Sequence, residues 1–543
     1  MDKKPFAITL DVGTSLANHT GTWRTQRPVY VKRLPPCNNA CPAGENIQGW
    51  LHEAEEGNYE GAWRVLVGDN PFPSIHGRVC YHPCEDACNR GALDQSVNIH
   101  AVERFLGDEA LRRGWKVSCA PDTGKRVLVV GAGPSGLSAA YHLRRLGHGV
   151  VIHEAGPKPG GMMRFGIPQY RLPRDVLDAE VERIAGMGVE IRLERRVEDL
   201  AGAMREERCD AAFVAIGAHL AKRVDIPARD AGGILDAVTV LREVEAGKAP
   251  SFIGRRVAVY GGGNTALDVA RTAERLGAKE AMLIYRRTRD MMPAHDFEVA
   301  EAAEEGVEMH WLRTIQAVEG TTIRVERMAL DENGWPRPTG EIETLEADTV
   351  ILALGQASDS AFLAKLPGVG ISKDGVVEVD DGMMTGHPGV FAGGDLVPAE
   401  RSVTVAVGHG KLAARNIDAY LRGTRYVHPP RPELAGFDRL NTWYFSDADQ
   451  SHQPMLDVAR RRTTFKEIVQ GLDERSALFE ARRCLSCGNC FECDNCYGIC
   501  PDNAVRKIGP GEGYAFDYDF CKGCGLCVAE CPCGAIAMVA EEI

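Results

Sequence analysis

The stretch KRVLVVGAGPSGLSAAYHLRRLGHGVVIHE, residues 125–154, decides the fold class. Val127–Val130 make a short apolar run that suits a strand buried on both faces. Gly131, Gly133 and Gly136 follow as GxGxxG, with Pro134 and Ser135 between them, and a helix-forming run opens at once. Glycine at these positions permits a tight turn and lets a pyrophosphate reach the helix N-terminus. Glu154 ends the next apolar run, where a carboxylate can accept from a ribose hydroxyl pair. Strand, glycine turn, helix and terminal acid together predict a dinucleotide-binding unit.

The pattern recurs at 255–287, RRVAVYGGGNTALDVARTAERLGAKEAMLIYRR. Here Gly261, Gly263 and Ala266 give GxGxxA, with Asn264 and Thr265 opening the helix. The second strand ends in Arg286 and Arg287 instead of an acid. Arginine suits a 2′-phosphate, so NADP(H) is favoured over NAD(H); the alternative is that both arginines form a solvated edge or contact a partner. Two such units in one chain imply FAD together with NAD(P)H, in an α/β architecture with two Rossmann-like domains.

Composition narrows the rest. The chain has 543 residues, enough for three to four domains, and a net charge of −13. That charge argues against general nucleic-acid binding, since no basic field is present to neutralise phosphates. No apolar run reaches the ~18 residues of a membrane helix, and the N-terminus lacks the apolar core of a secretory signal. The expectation is a cytoplasmic protein.

Of the 18 cysteines, five lie between Cys37 and Cys88 and eleven between Cys484 and Cys533. Such clustering favours cofactor ligation over disulfides. The remaining two, Cys119 and Cys209, read as buried apolar thiols. Near the C-terminus stand Cys490-x2-Cys493-x2-Cys496-x3-Cys500-Pro and Cys521-x2-Cys524-x2-Cys527-x3-Cys531-Pro. This is the run of a bacterial two-cluster ferredoxin, in which the fourth cysteine of each run ligates the other cluster. One [4Fe-4S] cluster is expected on Cys490, Cys493, Cys496 and Cys531, the other on Cys521, Cys524, Cys527 and Cys500.

The motifs CPAGENIQGW (41–50), NPFPSIHGRVCYHPCEDAC (70–88), VNIHAVERFL (97–106), GGMMRFGIPQYRLP (160–173) and YRRTRDMMPA (285–294), together with both glycine turns, resemble the glutamate synthase small-subunit family. That family includes the N-terminal half of dihydropyrimidine dehydrogenase and the large subunit of ferredoxin-dependent transhydrogenases. The resemblance runs from about residue 35 to 422. Gly393-Gly394-Asp395 resembles the second flavin motif of two-dinucleotide-domain flavoproteins, and it implies flavin contacts from Gly394, Asp395 and Thr404, with Gly161 and Arg171 contributed by the 160–173 motif. It also implies a split FAD domain at 121–250 and 350–425, a nucleotide domain inserted at 251–349, and a helical iron–sulfur domain at 1–120. A connector at 426–483 and an α+β ferredoxin module at 484–543 complete the expected plan.

The resemblance further implies two N-terminal clusters. One uses Cys41, Cys80 and Cys84, with Glu103 as fourth ligand; Glu103 could equally be an ordinary helix-surface acid. The other uses Cys37, Cys88 and a Cys-x2-Cys pair that the family carries just before the position of Cys37. This chain lacks that pair there. It carries instead TFKEIVQGLDERSALFEARRCLSCG at 464–488, which resembles the family's N-terminal lead-in and contains Cys484 and Cys487. Either this pair folds back to complete the cluster, or the two are spare thiols or a small zinc site. The count is therefore three to four [4Fe-4S] clusters.

The expected function is that of an NAD(P)H-dependent FAD/iron–sulfur oxidoreductase, a diaphorase subunit with cofactor-borne hydride transfer and no catalytic side chain. The fused ferredoxin resembles electron-input subunits of 2-oxoacid oxidoreductases, so the expected partners are catalytic subunits acting on 2-oxoacids or related acids, or ferredoxin. The alternatives are a glutamate synthase small chain and a non-enzymatic electron-transfer or assembly subunit.

Overall fold

The computed structural model describes residues 19–222, 226–229, 233–248 and 255–541. Its centre is a five-stranded parallel sheet in the order Val390–Ala392, Ala211–Val214, Arg126–Val130, Gly149–His153, Val189–Arg192. The middle strands are buried on both faces, which is why they read as unbroken apolar runs rather than alternating ones. Helix Pro134–Arg145 leaves the first glycine turn with proline at its first position, where a missing N–H costs nothing. It packs along helix Val403–Leu421, which follows Gly394-Asp395.

A second parallel sheet runs Glu308–Trp311, Glu280–Tyr285, Arg256–Tyr260, Thr349–Leu352, Ile234–Asp236. Its edge strand Ile234–Asp236 and helix Ala237–Glu245 precede residue 251. The second nucleotide unit therefore begins earlier than the sequence boundary at 251. A three-residue strand is too short to leave a periodic signal. Against this sheet lies an antiparallel meander, Arg313–Glu319, Thr322–Leu330 and Pro336–Glu346.

Helices Ile47–Glu55, Tyr59–Leu66, Pro73–Val79 and Ile99–Arg113 build the N-terminal part. Asn46 and Asn58 cap the first two by accepting from Gly49 N and Gly61 N, satisfying donors a helix start leaves unpaired. Trp50, Leu51, Ala54, Ala62 and Leu66, which recur at roughly helical spacing, are all buried.

An early strand meets a late one. Strand Gln26–Tyr30 pairs antiparallel with Ile536–Ala540, from Gln26 opposite Ala540 to Tyr30 opposite Ile536. Residues 26–30 thus pair with a strand of the ferredoxin module. The sequence QRPVY offers no alternation to announce this. The connector is also anchored along its length. Arg461 reaches Glu304 at 2.6 Å and Arg462 reaches Glu274 at 3.0 Å on the second nucleotide unit. Glu467 bonds Arg78 at 2.7 Å and Arg104 at 2.9 Å on the helical part. Helix Glu474–Arg482 then packs on Ile47–Glu55 and Ile99–Arg113, where the fully buried Glu480 carboxylate accepts from Asn98 N at 2.9 Å. Among the stray cysteines, Cys119 is exposed and Cys209 half-buried, so Cys119 is not the buried thiol its sequence suggested; it lies in an irregular segment between helix and strand. No helix among the described residues is long and apolar enough to cross a membrane.

Candidate functional site

The first glycine turn opens on a cavity of about 500 Å³ lined by Gly131, Gly133, Pro134, Ser135, Glu154, Gly161, Gly394 and Asp395, with Phe165, Arg196, His219, Arg242 and Ala406 among the further walls. Its floor depends on missing side chains. Gly131 has φ +102° and Gly161 φ +51°. A Cβ on Gly161 would stand 2.7 Å from Gly133 Cα, and one on Gly136 would stand 2.0 Å from Gly131 O. The Glu154 carboxylate is fixed by Ala132 N and Gly156 N, each at 2.7 Å. Burial holds the Asp395 carboxyl above its ordinary range. A backbone cradle, a helix N-terminus and two carboxylates beside a cavity of this volume fit a dinucleotide flavin. Arg196, His219 and Arg242 carried no motif and were not legible from sequence.

Two expected contacts lie elsewhere. Arg171 turns away from the cavity and bonds Asp268 at 2.9 Å and Glu298 of the second nucleotide unit. Thr404 is absent from the cavity wall; its hydroxyl donates to Cys80 Sγ at 3.1 Å. Thr404 and the cavity-lining Ala406 share the first turns of helix Val403–Leu421, so this bond ties Cys80 to the helix that walls the cavity.

At the second turn, Gly261 lies against Ala353 O, which a Cβ would meet at 2.3 Å, whereas a Cβ on Gly263 would meet nothing within 4 Å. The space before helix Asn264–Arg275 is open to a phosphate. Ala266 is buried and Thr265 half-buried. Asn264 Nδ2 donates to the Tyr81 hydroxyl at 2.6 Å, tying this turn to the residue after Cys80. Arg286 is exposed at the strand end, and Arg287 lies over the Trp335 ring at 4.9 Å.

The cysteines gather into four groups. Cys37, Cys88, Cys484 and Cys487 line one small cavity. Burial raises the Cys37 thiol, and the charges of Cys484, Cys88 and Cys487 raise it further. Cys41, Cys80 and Cys84 form the second group. Burial pushes Cys80 up to about 12, with Glu103 adding to it, and Cys84 feels burial first and then Glu85, Cys80 and Cys41. In the third group Cys496 is pushed up to about 12 by burial, with Cys493, Cys490 and Cys531 adding to it. In the fourth, Cys527 is likewise pushed up to about 12 by burial, with Cys500 and Cys521 adding. Thiols gathered this closely in buried surroundings suit a cationic iron–sulfur core, whose binding removes the protons. Cys531 is felt at Cys496 and Cys500 at Cys527, as the ferredoxin run would require.

Glu103 is buried, and its carboxylate shares Asn70 Nδ2 with Glu45, at 2.7 Å and 3.0 Å. His76 Nδ1 lies 2.7 Å from the same Asn70 nitrogen. Burial and the Glu45 charge hold the Glu103 carboxyl well above its ordinary range. It is therefore no helix-surface acid. Glu45, Asn70 and His76 sit within the quoted motifs, yet nothing in their spacing marked them as its neighbours.

A flavin-sized cavity backed by thiol groups, beside a second nucleotide turn, defines an NAD(P)H-dependent flavin and iron–sulfur oxidoreductase. The family of pyridine nucleotide-disulphide oxidoreductases matches residues 125–410, dihydropyrimidine dehydrogenase domain II with its 4Fe-4S cluster matches 11–115, and a 4Fe-4S binding domain matches 514–537. The chain is 38% identical over 498 residues to the NADP(+)-dependent formate dehydrogenase subunit beta of Moorella thermoacetica, covering 83% of this chain and 70% of that one. It is 34% identical over 522 residues to the NADPH-Fe(3+) oxidoreductase subunit beta of Geobacter sulfurreducens, covering 85% and 77%. The glutamate synthase [NADPH] small chain of Azospirillum brasilense is 34% identical over 421 residues, covering 72% and 87%. The chain belongs to the glutamate synthase small-chain family of flavoproteins, here joined to a ferredoxin module.

Proposed function

We propose that this chain is the NADP(H)-handling subunit of a larger cytoplasmic oxidoreductase. Bound FAD supplies hydride exchange with the nicotinamide and the [4Fe-4S] clusters supply one-electron relay; the chain's residues place them. Gly131, Gly133, Ser135, Gly136, Glu154, Gly161, Gly394 and Asp395 hold the flavin. Gly261, Gly263, Asn264 and Ala266 hold the nicotinamide nucleotide. Cys41, Cys80 and Cys84 with Glu103 hold the cluster nearest the flavin. Cys37, Cys88, Cys484 and Cys487 hold the next, and the ferredoxin cysteines the last two, for four clusters. The single observation that supports this reading is the Thr404–Cys80 bond, which joins a thiol to the helix that also supplies Ala406 to the cavity wall.

The partner is the catalytic subunit of that complex. Two of the relatives are named as beta subunits, one of them of a formate dehydrogenase, so a small-carboxylate oxidoreductase such as one acting on formate is favoured over the 2-oxoacid enzymes suggested by the fused ferredoxin. The test is reduction of ferricyanide or a tetrazolium dye by NADPH with the purified, anaerobically handled chain. Flavin-dependent turnover is expected; a chain that retains no flavin and reduces neither acceptor would overturn the reading.

Arg286 and Arg287 read the 2′-phosphate in this proposal. Replacing both with Ala should raise KM for NADPH about 10- to 100-fold, the loss of a charge-assisted contact of about 1.5–3 kcal/mol, and leave NADH use within about twofold. Equal losses with both nucleotides would mean that the arginines do other work.

A further inference from the structure

Trp443 is 87% exposed, the largest exposure among the large hydrophobic side chains of the described residues. A tryptophan spread on water is costly unless something covers it, and tryptophan is enriched at the centre of protein interfaces. Its setting is built, not loose. Asn441 N donates to Pro532 O at 3.1 Å and Asn441 Nδ2 to Ala529 O at 2.8 Å. The Asn441 side chain also accepts from Trp443 N at 3.2 Å. The Tyr444 hydroxyl bonds Glu530, and the charge of Cys493 is felt at that hydroxyl. The turn Thr442–Tyr444 is thus pinned to the ferredoxin module beside Cys493, and Cys490 and Cys493 are themselves exposed.

The surroundings are acidic. Asp438, Asp447 and Asp449 flank the turn and are exposed, against the one base Arg439 in 437–449. The module at 484–543 carries nine Asp or Glu against three Lys or Arg. An apolar anchor inside an acidic rim, next to exposed cluster ligands, selects a complementary surface: an apolar socket with a basic rim.

We infer that Trp443 is the anchor on which the catalytic subunit docks, bringing its own one-electron redox centre to the cluster of Cys490, Cys493, Cys496 and Cys531. One electron at a time leaves this cluster for the partner's centre, or returns from it. This rests on the proposed function above, and the two can fail separately.

The complex purified as a unit would be compared with the isolated chain by hydroxyl-radical footprinting. Trp443 should lose at least fivefold of its reactivity in the complex, while Trp335, 55% exposed on the second nucleotide unit, should stay unchanged. Equal reactivity of Trp443 in both would overturn the inference. In a second measurement, the full chain with its cofactors would reduce cytochrome c, a strongly basic one-electron acceptor, with NADPH as donor. Trp443→Ala should slow this at least tenfold at low salt and leave NADPH–ferricyanide reduction unchanged. An unchanged cytochrome c rate would also overturn it. A native chain that reduces neither acceptor would instead overturn the proposed function.

Discussion

The double variant Cys484→Ser, Cys487→Ser should lose about four irons per chain out of about sixteen, the content of one cubane. The two thiols come from the C-terminal side of the flavin domains, yet they share a cavity with Cys37 and Cys88. Helix Glu474–Arg482 delivers them, packed on two N-terminal helices with Glu480 buried between. Flavin content and NADPH–ferricyanide activity should survive, because the cavity at Gly131 and Gly394 shares no wall with this group. Electron delivery to the ferredoxin clusters should fall at least tenfold, since the relay loses its middle member. Iron analysis and rapid-mixing spectroscopy of the same sample would check both. Retention of all iron would make the pair spare thiols and leave the ferredoxin module fed by another route.

Arg171→Ala should be strongly destabilising. The side chain is 10% exposed and faces Asp268 and Glu298, which are 6% and 2% exposed. Removing the cation strands two buried carboxylates, a loss of about 3–5 kcal/mol. The unfolding midpoint should fall by roughly 3–5 °C. The sign of the pH dependence follows from Glu298, which burial lifts to about 7 even with Arg171 opposing. A carboxyl raised in the folded state binds more protons there than in the unfolded chain, so its contribution to stability declines as pH rises from about 4.5 through 7. Without Arg171 that decline should steepen, and the variant should lose more at pH 8 than at pH 5.5. Thermal unfolding at both values, with Asp268→Asn, Glu298→Gln added as partial rescue, would measure it. A midpoint unchanged at pH 8 would show that the bridge contributes little.

Arg171 also shows where sequence reading stops. Its motif, GGMMRFGIPQYRLP, was visible and pointed to the flavin, yet the side chain reaches across to the other nucleotide unit. A motif fixes a backbone path, while the direction of a long side chain depends on which charges the tertiary fold brings near. The glycine turns are legible in part because some of their chemistry is local: a side chain on Gly136 would strike Gly131 O, five residues before it, although Gly131 itself is held by the distant Ala215 O. The ferredoxin module is legible in the same way, as its repeated Cys-x2-Cys-x2-Cys-x3-Cys-Pro run marks a 4Fe-4S binding domain. The pairing of Gln26–Tyr30 with Ile536–Ala540 was not, since it joins residues some 500 positions apart with no local pattern. The start of the second nucleotide unit is not legible in sequence, because Ile234–Asp236 becomes a strand only beside Thr349–Leu352. Glu45, Asn70 and His76 were hidden likewise, since their proximity to Glu103 arises from packing among separate helices.

The central claim is that nicotinamide, flavin and clusters form one continuous electron path within this chain. The chain would be reduced anaerobically, freed of reductant, and mixed with NADP+ while the cluster EPR signal and the absorbance at about 340 nm are followed together, two electrons being needed for each hydride. The account predicts that the cluster signal disappears as NADPH forms, one NADPH for every two electrons withdrawn from the flavin and clusters. Clusters that stay reduced while no NADPH appears would contradict it.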